Sequence, residues 1–373
     1  MHAQVLVDLL RESGPMTRAE IARRCRVSKP TASSLVDRLL RSGLVVERGT
    51  ASEGSGRPGR LVAYHAGAGR VVGIDVGGTS TRAALADLDG RWLRVERVPT
   101  VIAEPMGLAR QIADLVRSLV PEPAERARVL EIAIATPGVV DLDRRRIAIA
   151  PNLPAVECEG FLDQLEAAVG QEPILINDVK VATAGEFRSG AGRDARDLAY
   201  LSIGTGLGLG LVADGRLHHG SGGRAGEIGL LMFPGGGRER LEDGLSGVGI
   251  AKRHRSAGGS GRPEDAFSEF ELGRAPGQGV VTEFLRLLAW AAAVVATVHD
   301  PERIVVGGGV GLRCAPFLPD VRRAVELDLG YAPDITPASL GDDAGLTGAI
   351  ALALDPARSV GRWLKGGIVP ASA

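Results

Sequence analysis

The chain has 373 residues, of which 45% are hydrophobic and 24% charged, with a formal net charge of −1. That is the composition of ordinary globular domains, and the length allows two or three of them with large cores. The three cysteines, Cys25, Cys158 and Cys314, are scattered and odd in number, which excludes a disulfide framework and a cysteine metal site and leaves buried free thiols. No apolar run reads as the roughly 20 residues of a membrane span, and the first turns carry acidic and polar residues, unlike a signal peptide. The expectation is a soluble cytoplasmic protein with no membrane attachment. The near-zero net charge hides an asymmetry. Residues 1–66 hold 11 Lys/Arg against 6 Asp/Glu, and the rest holds 33 against 39, so a small basic head suited to a polyanion precedes an acidic body.

The head reads as three short helices and a hairpin. Gln4 to Glu12 places Val5, Leu6, Leu9 and Leu10 on one face, and Gly14-Pro15 ends it. Thr17-Arg18-Ala19-Glu20 has the spacing of a capping box and opens a second helix. After a tight turn at Arg26-Val27, Ser28 caps a third helix that tolerates Pro30 in its first turn and buries Ala32, Leu35, Val36, Leu39 and Leu40. Its other side shows Pro30, Ser33, Ser34, Asp37 and Arg41, flanked by Thr31 and Arg38. Small hydroxyl residues at the start of such a helix enter the roughly 12 Å wide major groove of DNA without collision. Leu44 to Arg48 and Leu61 to Tyr64 alternate as strands around the basic, glycine-rich segment Gly54 to Arg60. This is a wing, and its arginines suit a narrow minor groove. Helix, turn, capped helix and wing in that order make residues 1–66 a winged helix-turn-helix of the α+β class that binds double-stranded DNA. Ser28, Lys29, Thr31, Ser34 and Arg38 face the major groove, and Arg57 and Arg60 are the wing contacts. A plain helical bundle with surface arginines is the bland alternative, and the ordered succession argues against it.

In the body, Val71 to Asp75 is an apolar strand ending in an acid, followed by Val76-Gly77-Gly78-Thr79 and a second strand from Thr81 to Asp87. Glycines there let backbone N–H groups approach phosphate oxygens, while Asp75 is placed to hold a hydrated Mg²⁺. Hairpins also use glycine, so one such turn decides little. Two more follow apolar strands, however: Gly204-Thr205-Gly206 through Gly210, and Gly307-Gly308-Gly309. Ile174 to Ile176 is a further buried strand that delivers Asn177 and Asp178 to its C-terminal tip, where α/β clefts bind ligands. A helix N-cap is the structural alternative for Asp178.

Taken together, Asp75 to Thr79, Pro137 to Asp141, Pro151 to Pro154, Asn177-Asp178, Gly204 to Gly210, Gly226-Glu227-Ile228-Gly229 and Leu340 to Leu346 resemble the ROK family (repressors, open reading frames and kinases) over essentially the whole chain. The winged head resembles that of its repressor branch, which the kinases lack. The resemblance implies a two-lobed α/β body of the actin/hexokinase (ribonuclease H-like) kind, with residues 70–195 plus 345–373 as the first lobe and 196–344 as the second. It implies that Asn177, Asp178, Glu227 and Glu242 contact a sugar and that Asp178 is the general base of a kinase. Nucleotide phosphates would then meet Asp75, Gly77, Gly78, Thr79, Gly204, Thr205, Gly206, Gly308 and Gly309.

The chain departs from the family pattern after Gly229. Leu230 stands where the family has a sugar-contacting, zinc-ligating histidine, and Pro234 to Arg240 replaces the expected cysteine cluster. No structural zinc is therefore expected. The first reading is a DNA-binding repressor, at least dimeric, that is controlled by a sugar or sugar phosphate and requires no cofactor. The second is an ATP- and Mg²⁺-dependent sugar kinase that also binds DNA, which the lost histidine and cysteines weaken. The third is a repressor whose effector is a partner protein.

Overall fold

The computed structural model describes residues 2–51, 59–141, 144–233 and 238–365. The head runs α1 (His2–Ser13), β1 (Met16–Thr17), α2 (Arg18–Arg24), α3 (Lys29–Arg41), β2 (Val45–Ala51) and β3 (Gly59–Tyr64), with β3 between β1 and β2 in one antiparallel sheet. Gly14 supplies the φ of +81° that ends α1. Thr17 accepts from Glu20 N at 3.2 Å, but the Glu20 carboxylate turns to Arg24 at 3.2 Å. Ser28 caps α3 by accepting from Thr31 N at 3.2 Å. Leu6, Leu10, Met16, Ile21, Val36, Leu39, Leu44 and Val62 form the head's core. The buried stripe of α1 is Leu6, Val7 and Leu10, and Val5 is 50% exposed. The face is rotated from the one the periodicity gives because α1 packs on two partners, β3 and the C-terminal helix described below.

The first lobe follows as β4 (Arg70–Val76), β5 (Ser80–Asp87), β6 (Trp92–Pro99), α4 (Pro105–Leu119), α5 (Pro123–Arg126), β7 (Val129–Thr136), β8 (Val139–Asp141), β9 (Arg146–Ala148), α6 (Phe161–Val169), β10 (Ile174–Asn177) and α7 (Asp178–Ser189). Its sheet order is β10-β7-β4-β5-β6, parallel from β10 to β4 and antiparallel beyond. Successive residues of β4 alternate between two cores: Val72 and Ile74 lie with α4 and α6, and Val71 lies with α7 and the returning C-terminal helix. The second lobe repeats the theme with β11 (Leu198–Ile203), β12 (Leu207–Ala213), β13 (Arg216–Leu217), α8 (Leu241–Gly244), α9 (Gly247–Ser256), α10 (Pro263–Glu271), α11 (Gly277–His299), β14 (Arg303–Gly307), α12 (Gly308–Arg313), α13 (Leu318–Leu329) and β15 (Asp334–Pro337). Its order is β13-β12-β11-β14-β15, again an antiparallel hairpin beside parallel strands.

Two expectations change. The 23-residue helix α11 contains an 18-residue stretch with a mean hydropathy of 1.7 and is long and apolar enough to cross a membrane. It is the core of the second lobe, where Val281, Phe284, Leu287, Leu288 and Ala292 are buried. The cysteines are not all buried: Cys314 is, Cys25 is half-buried and Cys158 is exposed.

The chain then returns to the first lobe as α14 (Ala344–Ala357) and ends in α15 (Val360–Lys365). Helix α14 packs on β4 and lies so close to α7 that a Cβ on Gly348 would overlap Val181 O and one on Gly185 would overlap Ala344 O. Helix α15 leaves the lobe and packs against α1 and α3 of the head. Val360 N donates to Gln4 Oε1 at 3.0 Å, and Trp363, 3% exposed, joins the apolar cluster that runs from Leu6 and Leu10 through Leu88 to Leu354. Gly348→Ala should therefore lower the urea midpoint by the equivalent of about 1–3 kcal/mol, the usual cost of overpacking. An unchanged midpoint would show that the two helices can separate freely.

Candidate functional site

On the head, Ser28, Lys29, Thr31, Ser34 and Arg38 are all exposed, at the start and along the outer side of α3. Asp37, read as part of the same outward face, instead pairs with Arg18 at 2.6 Å. Arg18 also meets Glu47 at 3.3 Å, and Glu47 meets Arg60 at 2.6 Å. This chain of four charges ties α3, α2 and both strands of the wing together. The hydrogen bonds from Arg60 and then Arg18 hold the Glu47 carboxyl below its ordinary range. Arg60, expected to be a wing contact, lies at the loop end of the wing with its side chain 73% exposed, and one of its N–H groups is engaged by Glu47. Arg57 lies outside the described residues.

Between the lobes is a cleft of about 350 Å³. The apolar strand β10 carries Asn177 and Asp178 to its C-terminal tip, as the sequence suggests. Asn177 rather than Asp178 is the N-cap of α7: its Oδ1 accepts from Lys180 N at 3.2 Å, and its Nδ2 donates to Gly138 O at 3.0 Å. Asp178 accepts a short-range bond from Val179 N at 2.8 Å and one from Asn177 Nδ2 at 3.1 Å. Burial, aided by the Asp75 and Glu227 carboxylates and opposed by the Val179 N–H, pushes its pKa up to about 7.

Glu227 follows Gly226, whose φ of +92° lets the loop press on Leu209 O. Its pKa is raised by burial, which Lys180 opposes and Glu242 reinforces. Glu242, at the start of α8, accepts from Leu207 N at 3.1 Å, and a Cβ on Gly206 would strike its carboxylate. Its anchor is therefore the glycine loop itself rather than a metal. All four predicted sugar residues line this one cleft, and so do Gly77, Gly78, Gly204, Thr205 and Gly206.

The remaining phosphate candidates lie beside the cleft. Thr79 is exposed at the β4–β5 turn, and Gly308 and Gly309 start α12 at the tip of β14. Asp75 sits at the first turn of α14, where only a glycine at 345 leaves room for its carboxylate. Burial raises its pKa, with Arg82 opposing and Asp342 reinforcing. A hydrated Mg²⁺ at that carboxylate, and phosphates on the two glycine loops, are compatible with this donor set.

Two features of the site were given no role from the sequence. Pro137 to Val139 and Ile149 to Asn152 form one wall, signalled by a glycine, Gly138, at φ +93°. Lys180, one of only four lysines in the chain, is 3% exposed beside Glu227.

The zinc that the family resemblance implies does not fit. Leu230 is 41% exposed at the rim, and residues 230–240 contain no Cys or His. His218 and His219 lie at the surface after β13, and His254 is buried with Nε2 2.9 Å from Glu269. Among the described residues, no group of three His, Cys, Asp or Glu side chains is placed to hold a metal.

Residues 71–356 match the ROK family model, and residues 1–58 match the MarR family. The chain belongs to the ROK family. Its fold is a MarR-type winged helix-turn-helix fused to a ROK body. The bifunctional enzyme NanE/NanK of Brucella melitensis is 37% identical over 291 residues, covering 76% of this chain and 54% of that protein, so the chain spans about half the length of that relative. The glucokinase of Streptomyces coelicolor is 30% identical over 319 residues, covering 77% of this chain and 98% of that enzyme. Among solved structures, the ROK hexokinase from Thermus thermophilus superposes with a TM-score of 0.68 at 30% identity over 78% of this chain and 99% of its own. A ROK family transcriptional regulator, a homolog of the E. coli MLC protein, superposes with a TM-score of 0.79 at 19% identity over 98% of both chains. That likeness is one of fold, and it includes the head that the kinases do not cover.

Two outcomes follow from the ROK cleft. Asp178 titrates near 7 in the fold against an ordinary value of 3.8, so the cost of ionising it is absent below about 4, grows through the interval and is complete above 7. Asp178→Asn should therefore raise the melting temperature at pH 8 and lose that advantage at pH 4. An equal change at both pH values would contradict a strained carboxylate. Elemental analysis of the purified protein should find no stoichiometric zinc, and one zinc per chain would overturn the reading of residues 230–240.

Proposed function

We propose that this protein is a sugar-controlled transcriptional regulator, a repressor that binds operator DNA through its head as a dimer or larger homo-oligomer in the cytoplasm. The observation that carries the reading is the continuity of head and body. The apolar cluster under α1 and α3 runs without a break through α15 into α14, and α14 begins beside Asp75 at the edge of the cleft. A change in lobe closure therefore has a packed path to the DNA-binding helices.

In the cleft, Asp178, Glu227 and Glu242 accept hydroxyl hydrogen bonds, and Asn177 fixes the start of α7. Convergent acceptors on an otherwise backbone-lined cleft suit a polyol. A ligand that favours the closed lobes need only bind them better than the open ones to shift the head. No cofactor is required for that role. The effector is a sugar or sugar phosphate, and kinase activity is weak or absent. Leu230 offers no ring donor, and a displacement of about 1 Å at the reacting hydroxyl costs on the order of 100-fold in rate.

The second reading, an ATP-dependent sugar kinase that also binds DNA, is favoured by one observation. A carboxylate with a pKa near 7 is matched to taking a proton from an attacking hydroxyl, and the phosphate loops face it across the same cleft. The kinase relatives add to that reading.

Two experiments with the full chain test the function. Selection from a random duplex pool should enrich a palindrome. Arg38→Ala should weaken binding to it by about 1–3 kcal/mol if Arg38 reads a base edge, and failure to enrich any DNA would overturn the regulator. A coupled ATPase assay over a sugar panel, with Asp178→Asn as the blank, should show turnover well below the roughly 1–100 per second of kinases. Turnover in that range that vanishes in Asp178→Asn would establish the kinase instead.

A further inference from the structure

A second cavity, of about 530 Å³, opens beside the sugar cleft, and Asn177 belongs to the lining of both. Its floor is β10, the edge strand of the first sheet, with Ile174, Ile176 and the neighbouring Val140 giving an apolar surface. Its roof is the loop of residues 219–223. That loop is built in from two sides. Lys180 Nζ donates to His219 O at 3.3 Å and to Gly223 O, and Gly223, at φ +71°, lies so close that a Cβ would sit 2.9 Å from Val140 O. An ammonium carries three protons, so Lys180, 97% withdrawn from solvent with a 3% exposed residue surface, retains one donor for the cavity it lines.

The rim is polar, with Asp141 and Glu172 as acceptors and Ser221 as a donor. The charges decide what fits. Lys180 lines this chamber with Glu227 on its other side, Asp141 at the rim is paired with Arg144 at 3.6 Å, and partial desolvation together with Lys180 pushes the His219 ring below its ordinary 6.5, so it adds no cation at neutral pH. Among the residues lining the chamber the one cation is Lys180, which already donates to two backbone carbonyls and faces Glu227, so a phosphate or carboxylate substituent would find little to neutralise it. An acyl group is neutral but would fill only a small part of a cavity of this size. A pyranose ring meets every element present: C–H faces for the isoleucines, hydroxyls for the two carboxylates, and oxygens for Lys180 and Ser221.

We propose that this chamber holds the second ring of a neutral disaccharide or glycoside whose first ring occupies the cleft, so that the effector is larger than a hexose. This rests on the sugar-cleft reading above. It also places specificity in residues that have no part in phosphoryl transfer, since Glu172, Ser221 and Ile176 line the chamber and not the cleft.

Titration calorimetry on the full chain tests it, with hexoses, N-acetylhexosamines, hexose 6-phosphates and α- and β-linked disaccharides as probes. At least one disaccharide should bind tenfold or more tightly than its own non-terminal-blocked monosaccharide, a difference of about 1.4 kcal/mol. The double variant Glu172→Trp, Ser221→Trp should lose that tenfold while keeping the monosaccharide affinity and DNA binding of the parent. A second blocking variant, Ile176→Phe, approaches from the floor and should act in the same direction. If monosaccharides, acylated sugars or sugar phosphates bind as well as any disaccharide, the second-ring proposal is overturned and the sugar cleft stands. If no sugar binds, the cleft reading itself fails.

Discussion

The close contact of α7 and α14 is the constraint on which the rest of the structure depends. Glycines at 185 and 348 bring the two backbones together, and each helix carries a different part of the site. Helix α7 starts with Asn177, Asp178 and Lys180, and its other side presses Thr183 against Gly210 of β12 in the second lobe. Helix α14 starts under Asp75 and ends at the apolar cluster shared with the head. Interiors packed at this density move as units rather than deform. A rotation of one lobe against the other therefore shifts α7, α14 and α15 together, and α15 bears directly on α1 and α3.

Electrostatics shapes the cleft in the same direction. Asp75, Asp178, Glu227 and Glu242 approach one another with Arg82 beside Asp75 and Lys180 beside Glu227, and burial adds to the mutual repulsion at Asp178 and Glu227. A ligand rich in hydroxyl donors relieves that strain, because each donated hydrogen bond favours the ionised carboxylate. The same carboxylates serve a kinase or a sensor. What separates the two roles is the precision with which a hydroxyl is held, and the exposed Leu230 offers it no donor.

Much of this was legible in the sequence because it is local. The Ser28 cap, the apolar run before Asn177, and the glycines after β4 and β11 act through neighbours a few residues away. The rest depends on partners far along the chain. Arg60 looked like a free wing cation, and only the folded hairpin shows Glu47 beneath it. A helix cap was the alternative reading of Asp178, and in the fold Asn177 takes that place. Val5 and Val7 exchange places because α15, more than 350 residues later, packs against α1. Lys180 carried a compositional signal as a rare lysine in an arginine-rich chain, but its meaning required the loop that closes over it.

The measurement that bears most directly on a coupled head and cleft is reciprocal. A sugar that binds the cleft is titrated calorimetrically into the free full-length protein and into the same protein saturated with its selected operator DNA. DNA affinity is then measured with and without saturating sugar. Linkage requires both ratios to be the same factor, and the continuous core through α14 and α15 predicts a factor of about 5–150, the usual span of a coupling energy of 1–3 kcal/mol. Equal sugar affinities with and without DNA would show that the head and the cleft share a chain but not an equilibrium.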